Sequence, residues 1–267
     1  MQASPVREDF IELLRYVDEL NFIFTIGSDL TILRREHVKE LKKLRNLIGI
    51  QTTLDGASPE SNDFTRGYGN FEKVMTGLEL LQAGDIPFIV GTVIHKLNLS
   101  EVTKIGRLVG SLGAEGYCIA PLYPVGRGQK LQHIVPSNDE LALANQEFSK
   151  LVRQGIVRSA DPAWLEITDR LTTEEFRQIF NNQPYLVRQA DRLLRIDPTG
   201  RCYTSIKLKE YLADSMYIGK ITNTPLKSLW HEAPLLQILR KLKGEDGSYF
   251  GPVVDIRKVV NDIMVVN

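Results

Sequence analysis

Between Phe10 and Leu151 the chain alternates two apolar rhythms, and this alternation limits it to parallel strands joined by crossover helices. Phe10, Leu13, Leu14, Val17 and Leu20 fall on one helical face, with Ser4 and Pro5 as start signals. Residues 21–25 read as a short strand. Leu33, Val38, Leu41 and Leu44 mark a second helix, and residues 47–54 the next buried strand. Phe71, Val74, Met75, Leu78 and Leu81 define a third helix, followed by a strongly β-branched strand over residues 86–94. Asn98 with Glu101 has the spacing of a capping box opening a helix with Val102, Ile105, Leu108, Val109 and Leu112 apolar. Residues 117–122 form the following strand. Ser137 with Glu140 repeats the box before Leu141, Ala144, Phe148 and Leu151. Right-handed crossovers put the C-terminal ends of all these strands on one side, where a ligand would sit.

Three segments are delivered to that side. Ile50-Gln-Thr-Thr-Leu-Asp-Gly56 is a strand that ends in Asp and Gly. Phe64-Thr-Arg-Gly-Tyr-Gly-Asn-Phe71 reads as a glycine-punctuated loop leading into a helix, and Pro121-Leu-Tyr-Pro-Val-Gly-Arg-Gly128 follows a later strand. Together they have the form of one wall of a cofactor pocket in an α/β barrel.

The second half changes rhythm. Residues 156–190 are mixed and polar, a connector between a partial β/α barrel at 1–155 and a small α+β region at 191–267. Asp197-Pro-Thr-Gly200 is a turn sequence between two strand-like runs, which makes a hairpin. Residues 217–220 add a strand and residues 225–242 a single helix. Residues 253–266 are apolar at strand or short-helix length.

Acidic and basic side chains balance at 33 each, which removes the broad attraction that drives nucleic-acid or anionic-membrane binding. The two cysteines, Cys118 and Cys202, lie far apart, and no apolar run is long enough to span a bilayer. The expectation is a cytoplasmic protein without disulfides, nucleic-acid partner or membrane.

The candidate side chains each have two readings. Thr53 and Asp55 offer a hydroxyl and a carboxylate suited to ribose hydroxyls, or they only pack and make the turn. Arg127 has the fork for a carboxylate, or is a solvated loop arginine. Gly67 and Gly69 beside Arg66 cradle a phosphate or simply give a flexible loop. His95 ends a strand on the ligand side, as an acid or base or as a structural histidine. Cys118 packs as a small hydrophobe, Cys202 is reactive only if exposed, and His231 lies on a helix surface.

These residues resemble the radical S-adenosylmethionine (SAM) enzymes, in particular peptide maturases with a C-terminal SPASM-type extension. Thr53-Leu54-Asp55-Gly56 is similar to the family's Ser-Leu-Asp-Gly strand end. Arg66-Gly67 and Gly69-Asn70-Phe71 match its Arg-Gly loop and Gly-Ser-Phe helix start, Pro124-Val125-Gly126-Arg127 its Pro-x-Gly-Arg turn, and Asn98 its Asn before a helix. Farther on, Ile196-Asp197-Pro198-Thr199-Gly200, Ile218-Gly219-Lys220-Ile221 and Leu226 to Trp230 look like the SPASM hairpin, step and helix. The resemblance implies SAM as cofactor, with Thr53, Asp55, Asn98 and Arg127 on its wall. It also implies a 4Fe-4S cluster, a peptide substrate or partner protein, and hydrogen abstraction by a 5′-deoxyadenosyl radical.

The departures lie at the cluster. The family holds it with C-x-x-x-C-x-x-C, because soft thiolates suit iron and one open position is needed for SAM. That motif is absent, Gln2-Ala3-Ser4-Pro5 keeps only the Pro of Gly-Gly-Glu-Pro, and Thr25-Ile26-Gly27 replaces Thr-Asn-Gly. Ser205 stands where the SPASM cysteine is usual. The expectation is therefore a truncated or degenerate relative, a pseudoenzyme unable to cleave SAM. The alternatives are a non-catalytic peptide- or partner-binding module, and a sugar-phosphate enzyme using residues 67–70.

Overall fold

A computed structural model describes residues 8–124, 126–160, 186–187, 194–203, 217–241 and 254–255. The chain divides into two compact units, Met1–Arg177 and Gln178–Asn267.

In the first unit the order is α1 (Phe10–Glu19), β1 (Phe24–Gly27), α2 (Arg35–Leu41), β2 (Leu47–Thr53), α3 (Pro59–Arg66) and α4 (Asn70–Ala83). Then come β3 (Phe88–Ile94), α5 (Val102–Ser111), β4 (Gly116–Pro121) and α6 (Asn138–Arg153). The four strands form one sheet in the order β1-β2-β3-β4, with all three pairings parallel. Every strand therefore ends on the same edge. Beyond β4, Tyr117 donates its N–H to Arg158 and accepts from Ala160, so the chain after α6 returns alongside this strand.

Alternation along the strands sorts the side chains. Phe88, Val90, Thr92 and Ile94 of β3 are buried with Ile50, Thr52 and Tyr117, forming a core with Leu30, Leu78, Leu81, Ile105 and Leu151. Tyr117 packs edge-on against Phe148, and its hydroxyl donates to Thr92 Oγ1, which donates to the Leu54 carbonyl. Burial raises the Tyr117 hydroxyl well above the ordinary tyrosine range, so it stays a donor. Gly106 lets Leu151 pack close, since a Cβ would lie 2.4 Å from Leu151 Cδ1 and that side chain would have to shift. The opposite face of the sheet is more open. Thr25 and Gln51 are exposed there, and Thr53, Gly91, Val93 and Cys118 are half-buried.

In the second unit β6 (Arg195–Ile196), β7 (Arg201–Tyr203) and β8 (Tyr217–Lys220) form a small antiparallel sheet, and β5 (Leu186–Val187) pairs antiparallel with β9 (Val254–Asp255). The hairpin turn at Asp197 is as the sequence reads it: the carboxylate accepts from the N–H groups of Thr199 and Arg201. Arg201 stacks over the Tyr217 ring at 4.6 Å. Among the described residues no helix is long and apolar enough to cross a membrane.

Four expectations are corrected. Asn21 takes a left-handed conformation (φ 57°), so β1 starts at Phe24 rather than at residue 21. Part of the segment read as a loop before Phe71 is α3, opened by Ser58 with Pro59 at its first position. The helix expected over residues 225–242 is two, α7 (Leu226–Glu232) and α8 (Pro234–Lys241), because Pro234 lacks the N–H to continue the first and starts the second. Asn98 does not cap the next helix; a 3₁₀ turn, Leu99–Glu101, intervenes. The Ser137 box, in contrast, forms with both of its hydrogen bonds. Residues 4–5 and most of residues 253–266 lie outside the described residues.

Candidate functional site

The edge where β2 and β3 end is organised by Asp55. Its carboxylate is buried: Oδ2 accepts from Arg66 Nε at 2.5 Å and from the Thr65 hydroxyl, while Oδ1 accepts from the Val93 N–H at 2.8 Å. The acid thus ties β2 to β3 and to the last turn of α3. Gly56 follows because α3 passes so close that a Cβ would meet Ser61 Oγ at 2.2 Å and the Asn62 N at 2.3 Å.

Asn98 completes the frame from the other strand. Its Oδ1 accepts from the His95 N–H, and its Nδ2 donates to the carbonyls of Asp55 and Val93. Glu101, expected to reach back to Asn98, instead accepts from the Ala57 N–H. Asp55 and Asn98 are therefore brought together, and both are engaged by the protein itself.

The turn between α3 and α4 is equally committed. Asp63 accepts from the N–H groups of Gly69 and Phe71, so a carboxylate occupies the place at the start of α4 where a phosphate would bind. Burial pushes its pKa up, but the hydrogen bonds from Phe71, Asn62, Gly69 and Asn70 outweigh this and hold it below the ordinary value. Fully buried Asn62 accepts from the Asp55 N–H and donates to Asp63 and Asn70. Gly67 and Gly69 have positive φ (97° and 72°), but these side chains fix the turn; it is neither a loose loop nor a phosphate cradle.

Thr53 behaves differently from its neighbours. It lies on the open face in register with Gly91, which is in register with Cys118 on β4. A Cβ at Gly91 would lie 3.4 Å from Cys118 Sγ and 3.9 Å from Thr53 Cγ2, so the glycine leaves a shallow depression between the Thr53 methyl group and a thiol. Cys118 is half-buried on this face rather than packed away within the strand. Sequence reading missed this row, although strand register with glycine opposite two small polar residues was its signal. The Arg127 side chain lies outside the described residues; its backbone belongs to the 3₁₀ turn Gly126–Ile134 after β4.

His95 follows the last residue of β3 and is 0% exposed. Neither ring nitrogen has a hydrogen-bond partner among the described residues. Burial holds its pKa below the ordinary histidine value, against the pull of Asp55 and Glu101 and in line with the push of Arg66. In the second unit, Cys202 is fully buried with its thiol pKa raised by burial, so it is not a reactive thiol, while His231 is exposed as expected.

With this geometry the comparisons with known proteins can be read. Residues 3–109 match the Radical SAM superfamily. The AdoMet-dependent heme synthase of Methanosarcina barkeri is 28% identical over 249 residues, covering 90% of this chain and 70% of that protein. The mycofactocin maturase MftC of Mycolicibacterium smegmatis is 30% identical over 124 residues, 46% of this chain and 31% of that one. SuiB of Streptococcus suis, solved with S-adenosylmethionine, has the same fold at 14% identity with a TM-score of 0.65, covering 89% of this chain and 55% of that one. The chain spans 45% and 63% of two further heme synthases. Its fold is α/β: a partial radical SAM barrel with a parallel four-stranded sheet, and a small antiparallel sheet near the C-terminus.

The superfamily uses SAM and a 4Fe-4S cluster, and the residues present fit the two groups unequally. Cys118 on β4 and Cys202 on β7 lie in different units and do not form the thiolate set a cluster needs. No group of three or more metal-binding side chains occurs among the described residues. The strand edge keeps Thr53, half-buried on the open side, for a polar small molecule, whereas His95 is enclosed by the protein.

Proposed function

We propose that this chain forms the SAM- and substrate-facing wall of a radical SAM enzyme acting on a tetrapyrrole. The observation that carries the reading is the sequence likeness to the M. barkeri heme synthase, which runs through 90% of the chain and includes its four parallel strands. An Fe-coproporphyrin III synthase from the same organism is 30% identical over 139 residues, which supports the same substrate class. In this reading Thr53 contacts the cofactor from the open face, and Asp55 and Asn98 shape the wall from behind. Arg127 supplies the cation for a carboxylate of the cofactor or substrate. The cysteinates that radical chemistry requires are not among these 267 residues, so the proposal concerns binding and orientation. The expectation of a degenerate, inactive relative draws no support from the comparisons, whose relatives are named as synthases and maturases.

Titration with iron-coproporphyrin III, followed by its absorption band, and with SAM by calorimetry tests this reading. Saturable binding of both is expected, with SAM affinity reduced in Thr53→Val and Arg127→Ala. Failure of both titrations would sink it.

A peptide substrate is the second reading, favoured by the MftC likeness and by SuiB having been solved with its precursor peptide SuiA. It predicts SAM binding with no response to the porphyrin. A module without chemistry would bind a peptide or partner and leave SAM alone.

A further inference from the structure

We propose that the turn at residues 66–69 docks the substrate through Arg66 and Tyr68, and that it takes a flat conjugated molecule carrying carboxylates. This role rests on the tetrapyrrole reading and names two contacts for it. The turn stands at the ligand edge, because α3 follows the end of β2 and α4 runs back from the turn to the start of β3. Helix α3 inverts the arrangement of an ordinary surface helix: Asn62, Thr65 and Arg66 turn inward to Asp55, while Phe64 is 54% exposed. Tyr68, just beyond the helix, is fully exposed.

Two features make this turn a prepared contact. Its backbone is fixed: Asp63 accepts from the N–H groups of Gly69 and Phe71, the Gly67 N–H donates to the Asp63 carbonyl, and the Asn70 N–H donates to the Gly67 carbonyl. An aromatic ring on such a backbone offers a large face with little conformational freedom left to lose on binding. The second feature is a cation with its open side outward. Arg66 meets Asp55 through Nε, and its two terminal nitrogens have no hydrogen bond or ion pair among the described residues. Neither is enclosed, so both reach solvent. Asp55 thus orients the guanidinium from behind, while its own side chain, 2% exposed, is withdrawn from any ligand. The free N–H groups suit a carboxylate, and the ring suits a conjugated plane. An aliphatic acid would use only the arginine and an uncharged aromatic only the ring, whereas a tetrapyrrole with carboxylate side chains uses both.

The test titrates metal-free coproporphyrin III, which no histidine can ligate through iron, into wild type, Tyr68→Ser, Tyr68→Phe and the double variant Asp55→Asn with Arg66→Met. The double variant removes both charges together, so that neither is left stranded. Urea unfolding of each ligand-free protein accompanies the titrations. Tyr68→Ser is expected to bind the porphyrin roughly tenfold more weakly at an unchanged unfolding midpoint, and Tyr68→Phe to bind as wild type does. The double variant is expected to lose roughly tenfold as well. If it does not fold, the two Tyr68 variants decide. Wild-type binding that survives intact in Tyr68→Ser or in a folded double variant overturns the docking role and leaves the tetrapyrrole reading standing. A lowered midpoint in Tyr68→Ser, or an equal loss of binding in Tyr68→Phe, overturns it too, by making the residue structural or its hydroxyl the contact. Wild-type protein that binds no porphyrin brings down the docking role and the tetrapyrrole reading together.

Discussion

Arg66 reaches from the last turn of α3 to Asp55 with its Nε 2.5 Å from Oδ2, and the acid it meets has a side chain 2% exposed while its own is 23% exposed. The asymmetry assigns the roles. The buried carboxylate depends on the arginine, whereas the arginine keeps some access to water. Attraction alone does not make such a pair a large net source of stability, but removing one partner leaves the other charge stranded.

Arg66→Met is therefore expected to cost about 3–5 kcal/mol, more than Asp55→Asn, which keeps an acceptor for Val93 and leaves a partly solvated cation. Urea unfolding of both variants measures the order. Equal costs would mean that the carboxylate is not shielded as described.

Asp63 caps α4 by accepting from Gly69 and Phe71, so Asp63→Ala should lose about 1–2 kcal/mol by thermal or urea unfolding. Its native pKa lies below the unfolded one, so its contribution is present above the ordinary carboxylate range and is lost as pH falls through the lower, native value. The difference between wild type and Asp63→Ala should therefore shrink in acid. A difference that stays constant between pH 7 and pH 3 would refute the cap.

These two acids also show what could be read from the sequence. The strands were legible because β-branched runs such as Phe88–Ile94 signal burial by themselves, and Ser137 was legible because its cap partner is three residues away. Asn98 and Glu101 have the same spacing but take partners beyond the turn: Asn98 reaches the Asp55 carbonyl 43 residues away, and Glu101 the Ala57 N–H at a separation of 44. No local pattern distinguishes the two cases. Helix α3 was overlooked because Pro-Glu-Ser-Asn-Asp-Phe-Thr-Arg has no apolar stripe; it is anchored by Asn62, Thr65 and Arg66, and Ser58-Pro59 was the available cue. For the candidate site, Asp55 was legible as a residue of the ligand edge, but its inward engagement depends on Val93 from the neighbouring strand.

Glycines separate the rigid back of the sheet from its open face. A Cβ at Gly110 would meet the Ile156 carbonyl oxygen at 2.3 Å, which is backbone and has little room to yield, while one at Gly91 would reach Cys118 Sγ at 3.4 Å, an ordinary contact. Gly110→Ala should destabilise by about 1–3 kcal/mol. Gly91→Ala should be nearly neutral in unfolding but should weaken SAM binding by filling the depression between Thr53 and Cys118. Calorimetry and urea unfolding of the pair give the result. Strong destabilisation by Gly91→Ala would place that face in the core.

His95 gives the protein a pH dependence of predictable sign. Burial disfavours its charged form, and of the charges near it Arg66 acts in the same direction while Asp55 and Glu101 oppose without prevailing. The unfolded chain therefore takes up a proton near the ordinary histidine value, about 6.5, that the folded chain still refuses. Its share of stability is complete above that pH and is lost progressively below it, until the lower native pKa is passed. Urea unfolding from pH 7.5 to pH 5 should show wild type losing stability faster than His95→Gln, which has no proton to take up. Parallel curves would mean that the imidazole is solvated in the folded protein, against its complete burial at the end of β3.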